Sequence, residues 1–514
     1  MRRTMPIFYS ALMLTGVNLL LRMVSTSFQV FLSSRIGAAG IGLLQLVLSV
    51  GSLAMTAGIA GIRTASMYLT AEELGKRRPG NVIWVISGSL KYSLLFSCGI
   101  AAALFFFAPQ IAENWIGDLQ SLAAVRLFAA FLPVCCMTGV MVGYFTAANR
   151  IGTLAAVEMA EQALSLAVTI GALTSWAGKD PGKACMAVVG GSGIGACLTL
   201  VCLVILRCRE KSPCSPLISV RHRLYQTAVP LALADDLKAG ISTAENLMVP
   251  KRLGLFHGAG NPLALFGTVC GMVFPVLMFP ACILFGLTEL LIPELARCNA
   301  AGSRQRIRYL VRKSLRLAML YGTVSGGILF LCSKELCLGL YGSEDAGTYL
   351  RWFAPLTVML YCDIVTDAVI KGMGQQKISV RYNIFTSVLD LTLLFFLLPR
   401  YGLPGYYFSF TVTHGINFAL SLRRLLKITG QHLPWHIPIV TLLCCTAAIW
   451  GAGLLTSPVL KAVSFFAILF SLLTLLGIVD RKDIRWLKGL ITAGKPGKQA
   501  AGGTALCSTS GRGL

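Results

Sequence analysis

The sequence predicts an all-α polytopic membrane protein with about 14 transmembrane helices. Three observations carry that prediction. Of the 514 residues, 55% are hydrophobic and 13% charged, with a mean hydropathy of +0.73, whereas a soluble domain carries about 25% charged residues. The apolar residues fall in blocks of about 20 or more, enough at about 1.5 Å per residue to cross a hydrocarbon core of about 30 Å. Lysine and arginine concentrate in alternate loops between those blocks. Lipid offers the backbone no hydrogen-bond partners, so each block must be helical.

Taken in order, runs 1 to 6 lie at about 6–32, 40–62, 82–107, 122–147, 153–176 and 184–207. Runs 7 to 12 lie at about 224–250, 263–291, 313–333, 350–371, 380–398 and 404–425, and runs 13 and 14 at about 436–456 and 459–479. Arg2 and Arg3 precede run 1, which continues past Leu21 without a small-residue cleavage pattern and so predicts an uncleaved first helix. Basic segments bound the later runs: "GKRRPG" (75–80), "RCREK" with Arg221 and Arg223, "RQRIRYLVRKSLR" (304–316), Lys371, Lys377 and Arg381, and "RRLLK" (423–427). A cytoplasmic N-terminus puts about 32 of the 45 lysines and arginines inside, about 10 outside and about 3 within helices. Both termini are therefore expected in the cytoplasm. The net charge of +24 then faces anionic headgroups and needs no nucleic acid.

The 17 cysteines, among them the pairs Cys135-Cys136 and Cys444-Cys445, lie in apolar runs without metal-ligand spacing, which predicts free buried thiols. "HLPWH" (432–436) has no carboxylate or cysteine partner, so no metal is expected. No GxxxxGK[ST] occurs, and no cofactor is expected. An ion gradient, the membrane potential or downstream consumption must drive any transport. Pro133, Pro275, Pro280 and Pro355 are expected to bend their helices.

The two halves of the chain resemble each other. "GIAGIRTASMYLTAEE" (58–73) closes run 2 and "ILFGLTELLIPELAR" (283–297) closes run 8. "YFTAANR" (144–150) closes run 4 and "VIKGMGQQ" (369–376) closes run 10. From Gly61 to Ala148 is 87 residues, as it is from Gly286 to Met373. An even number of helices per repeat makes the repeats parallel. The expected organisation is a six-helix lobe over 1–210, a second over 211–430, the pair of helices 13 and 14 over 431–488, and a disordered cytoplasmic tail over 489–514.

"SRIGAAGIGLLQLVLSVGSLAMTAGIAGIRTASMYLTAEE" resembles the start of the multidrug/oligosaccharidyl-lipid/polysaccharide (MOP) exporter superfamily. "AVPLALADDLKAGISTAENLMVPKRL" and "VIKGMGQQKISVRYN" are similar to its stage V sporulation protein B and MurJ lipid II flippase branches. The resemblance covers roughly residues 6 to 480. It implies V-shaped lobes as in MATE and MurJ proteins, alternating access, and no enzymatic activity. The implied cargo is an undecaprenyl-linked cell-wall precursor crossing the bacterial cytoplasmic membrane for peptidoglycan or spore-cortex synthesis. The implied partners are the lipid-linked oligosaccharide itself, membrane lipids and cell-wall synthesis proteins. The flippase branches often carry a second basic residue about two turns after the first on helix 1; Phe28-Gln29 stand there in this chain.

Two polar stripes stand out. Asn18, Arg22, Ser25 and Gln29 share one face of run 1, and Asp235, Lys238, Ser242 and Glu245 share one face of run 7, with Asp236 just off the line. An arginine at mid-membrane costs about 2.5–3.5 kcal/mol on insertion scales, so these faces are expected to line a shared wet cavity. Arg22 and Lys238 could grip an anionic headgroup, since a diphosphate offers many acceptors and arginine meets two at once. Alternatively each neutralises an acid: Lys238 with Asp235 or Asp236, and Arg22 with a carboxylate on another helix. Glu158, Glu161, Asp235, Asp236, Glu245, Asp363, Asp367 and Asp390 are candidates for ion coupling or for pairing between helices, and Glu289 and Glu294 for gating or capping. Beside the flippase reading stand a proton- or sodium-coupled exporter of small cationic compounds and a membrane scaffold for envelope assembly that transports nothing.

Overall fold

Runs 1 and 2 are joined in one element, α1 (Met5–Ile59), broken at Gly37, whose φ of 69° and ψ of −178° leave helical geometry. A side chain at a positive φ costs about 1–2 kcal/mol, and glycine avoids that cost. The computed structural model describes residues 5–478 apart from 60, 77–78, 149, 179, 210–220, 259 and 432–435. Arg2, Arg3, most of "HLPWH" and the expected disordered tail lie outside the described residues.

After α1 come α2 (Ile62–Gly75), α3 (Val82–Phe106), α4 (Leu122–Ala147), α5 (Ile151–Ala172), α6 (Pro181–Cys208) and α7 (Arg221–Leu253). Then follow α8 (Pro262–Met278), α9 (Cys282–Ala300), α10 (Arg304–Leu331), α11 (Ser333–Tyr341) and α12 (Glu344–Gly372). The last are α13 (Gln376–Tyr401), α14 (Leu403–Thr429), α15 (His436–Gly453) and α16 (Pro458–Leu475). No strand occurs among the described residues. The described cysteines are free, and most of them are buried.

Every predicted run falls on one of these elements. Among the described residues nine helices are long and apolar enough to cross a membrane, or ten if α8 and α9, bent by 61°, form one span. The number is below 14 for chemical reasons. Runs 1 and 2 are merged in one element, α7 and α14 carry polar residues along their length, and α15 is short. The break after α8 contains Pro280, and two tyrosines satisfy carbonyls there. Tyr361 donates to the Leu277 carbonyl at 2.8 Å, and Tyr321 donates to the Pro280 carbonyl at 2.8 Å. Backbone freed by a kink in lipid needs such partners.

The chain divides into two compact units, Met1–Leu433 and Pro434–Leu514. Within the first, one packing pattern occurs twice. α4 packs on α2, α3 and α6, and α5 packs on α6; α12 packs on α9, α10 and α14, and α13 packs on α14. In each half a glycine allows the close approach. A Cβ on Gly143 of α4 would lie 2.7 Å from the Arg63 carbonyl oxygen, and one on Gly372 of α12 would lie 3.0 Å from that of Ile292. In the second unit α15 and α16 pack on each other, with Gly451 facing Ile468.

Candidate functional site

The arginine of the first stripe has no ion-pair partner among the described residues. Arg22 is exposed, with its guanidinium 5.8 Å from the centre of the Phe285 ring on α9. Lys238 on α7 is likewise exposed, and no ion pair joins it to Asp235 or Asp236 among the described residues. Ser25, Ser242 and Asp235 are exposed, and the side chain of Asn18 lies outside the described residues. Asp236 is half-buried, with one carboxylate oxygen buried and unpartnered among the described residues.

Gln29, the last member of the first stripe, has a different role. Its side-chain amide donates to the Gly271 carbonyl of α8 at 2.9 Å. Around it α1 and α8 approach backbone to backbone. A Cβ on Gly267 would lie 2.0 Å from the Ala38 carbonyl oxygen, and one on Gly42 would lie 2.3 Å from that of Leu263. Nearby, Thr243 donates to the Ser49 carbonyl at 3.1 Å, and Asn246 donates to the Ser49 hydroxyl at 2.9 Å. Together these contacts tie α1 to α7 and α8 from Gln29 past Gly37 to Ser49.

A second set of contacts joins α2 to the start of α7. Arg223 reaches Glu72 at 2.5 Å and Glu73 at 3.0 Å; Lys76 also pairs with Glu72 at 2.5 Å, and Asn81 donates to Glu73 at 2.8 Å. Leu224, Ala228 and Ala232 of α7 continue the contact by packing among Ile62, Ala65, Leu69 and Tyr92. Along α7, Lys238 is separated from Arg223 by about 22 Å of helix and from Thr243 by about 7 Å, at about 1.5 Å per residue. Arg22 precedes Gln29 by about 10 Å on the same scale. Lys238 therefore lies between the two contacts along α7, and Arg22 lies on the N-terminal side of the Gln29 contact on α1.

Charge spacing alone assigns Arg223 to an inner loop, so this latch is not apparent in the sequence; the signal is the adjacent pair Glu72-Glu73 closing run 2. Arg223→Gln is expected to destabilise the protein by about 1–2 kcal/mol, since Glu73 is nearly buried while Arg223 is partly solvated. Thermal unfolding in detergent of Arg223→Gln, Glu73→Gln and the double variant would measure the loss. Additive effects of the two single changes would exclude coupling.

The acids form separate groups. Glu245 of α7 lies in the field of Asp390 of α13, which accepts from Ser409 at 2.6 Å and Thr413 at 3.1 Å on α14. Asp363 accepts from Asn417 at 3.0 Å, leaving its other oxygen without a partner among the described residues. Asp367 pairs with Lys371 at 2.6 Å and accepts from Ser379. Glu161 accepts from Thr199 at 2.6 Å, and Glu158 is half-buried in the field of Arg63. Glu294 pairs with Arg306 at 2.7 Å and Arg297 at 3.7 Å, whereas Glu289 is exposed. No group of three or more histidine, cysteine or carboxylate side chains is arranged for a metal among the described residues.

Comparison with known proteins fits this architecture. Residues 8–224 match the family described as Polysaccharide biosynthesis protein, and residues 261–396 match MatE. Stage V sporulation protein B of Bacillus subtilis (strain 168) is 22% identical over 480 residues, covering 89% of this chain and 90% of that protein. A solved lipid II flippase MurJ in an inward closed conformation aligns with a TM-score of 0.67 at 11% identity, over 90% of this chain and 98% of that one. An inward-facing multidrug resistance MATE family transporter aligns with a TM-score of 0.62 at 13% identity, over 82% of this chain and 100% of that one. The solved structures share the fold.

Proposed function

We propose that this chain is a member of the MOP exporter superfamily and an alternating-access flippase for an undecaprenyl-linked cell-wall precursor. The observation that carries the reading is the pair of exposed cations, Arg22 and Lys238, each on a polar helix face and without an ion-pair partner among the described residues. A charge kept on such a face without a carboxylate is suited to an anion that comes and goes. A diphosphate fits both, with arginine as the two-pronged donor and lysine as the point charge. The two sets of contacts then act as alternate gates, the α1–α8 contact outside and the Arg223 latch inside. This assignment takes the basic loops as cytoplasmic. Likeness to stage V sporulation protein B supports a role in sporulation, and we take peptidoglycan or spore-cortex synthesis as its setting.

Expression in cells depleted of their own flippase tests the proposal. Outward movement of lipid II and growth should both return. Resistance to cationic dyes without rescue would instead favour the exporter reading, and an envelope defect with neither would favour a scaffold.

One observation favours ion coupling as the drive. The Glu245–Asp390 pair, bridged to α14 by Ser409 and Thr413, can exchange a shared proton or cation as three helices rearrange. Asp390→Asn is expected to lower transport by about 5- to 150-fold and to flatten its dependence on pH or sodium, the span of a coupling energy of about 1–3 kcal/mol. Transport in proteoliposomes under imposed gradients would measure this, and an unchanged gradient dependence would exclude the pair.

A further inference from the structure

At the end of α10 remote from its basic segment, a cavity of about 530 Å³ is lined by Phe330, Lys334, Thr348, Arg351, Trp352 and Pro355. Its geometry is built by close backbone packing. A Cβ on Gly347 of α12 would lie 2.8 Å from the Cα of Lys334 on α11, so only glycine lets the two helices meet there. The Arg351 guanidinium lies 4.7 Å from the centre of the Phe330 ring, which leaves its edge free to donate. Trp352 packs edge-on against Tyr349, with ring centres 5.6 Å apart, and remains exposed.

Both cations are exposed, and among the described residues neither forms an ion pair. Glu335, Glu344 and Asp345 belong to the same helices but do not line the cavity. The volume suits a small ligand or a lipid headgroup. Two cations around one space match the oxygens of a phosphate, which arginine can meet with two parallel hydrogen bonds, while the Thr348 hydroxyl donates to the Glu344 carbonyl at 3.3 Å. The apolar walls and the exposed tryptophan match the level where headgroup gives way to acyl chain.

We propose that this cavity binds the phosphate of an anionic lipid headgroup at the membrane face opposite the basic loops. Assigning that face to the outer leaflet rests on the orientation proposed above; the site itself does not. Lipid phosphate is preferred to free phosphate because Phe330, Pro355 and the exposed Trp352 line the cavity, and α11 carries the exposed Leu338 and Leu340 after Lys334. The site is distinct from Arg22 and Lys238, and it would hold a resident lipid rather than a crossing cargo.

The test uses the full chain in nanodiscs of phosphatidylcholine with graded phosphatidylglycerol, with retained lipid counted by native mass spectrometry. Lys334→Gln and Arg351→Gln should each weaken phosphatidylglycerol retention about fivefold, and the double variant about 25-fold. Phosphatidylcholine retention should not change, and Lys334→Arg should retain phosphatidylglycerol like the unmodified protein. Unchanged phosphatidylglycerol retention in the double variant would overturn the site. Displacement of the lipid by inorganic phosphate would overturn the lipid assignment. The readout needs no transport and no sidedness, so failure of the flippase reading leaves it intact.

Discussion

Arg22→Ala is expected to abolish rescue of a flippase-depleted cell while leaving the protein folded and at normal or higher abundance. Hydrogen bonds to charged groups contribute about 1.5–3 kcal/mol each, so losing a two-pronged contact with a phosphate should reduce transport by about 100-fold or more. The same change removes a guanidinium whose insertion costs about 2.5–3.5 kcal/mol, so stability should hold or rise. A merely structural arginine would lower both together. Arg22→Lys keeps the charge but loses the fork, and should give an intermediate rate. Measuring lipid II flipping and detergent melting on the same variants separates the cases. Normal rescue by Arg22→Ala would remove this residue from cargo binding.

Gly267→Val is expected to prevent closure at the Gly37 side. The Cβ alone would lie 2.0 Å from the Ala38 carbonyl oxygen and 2.6 Å from the Gly42 amide nitrogen. Those are backbone atoms, and they cannot swing aside as the end of a side chain can. Overpacking costs about 1–3 kcal/mol, and the upper end applies here. That is about a 150-fold shift away from the closed arrangement, at about 1.4 kcal/mol per factor of ten. Hydrogen exchange followed by mass spectrometry should show the amides of 38–46 and 262–271 exchanging much faster, with α10 to α14 unaffected. Transport should fall with it, because a transporter that cannot close one gate cannot alternate. Unchanged exchange would mean that the two helices do not need this contact.

The two contacts differ in kind, and each kind suits its place. The α1–α8 contact is glycine against backbone, where lipid leaves close packing and small residues as the main means of joining helices. The α2–α7 contact is ionic, at helix ends rich in charge, where water makes each ion pair weak and readily broken. Salt should therefore loosen the second contact more than the first.

By itself the sequence determined that this chain crosses a membrane many times as helices, that its halves repeat, and that Arg22 and Lys238 lie on polar faces. Those properties are local: lipid demands long apolar runs with internally satisfied backbones, and 3.6 residues per turn decide which residues share a face. Only the tertiary structure decided which polar groups meet. Arg223 finds Glu72 and Glu73 some 150 residues earlier, Glu245 finds Asp390, and Gln29 bonds to a backbone carbonyl of α8. Lys238, one turn from Asp235, does not pair with it. Proximity along a helix only offers a partner; whether it is taken depends on what surrounds both charges, and helices distant in sequence supply those surroundings.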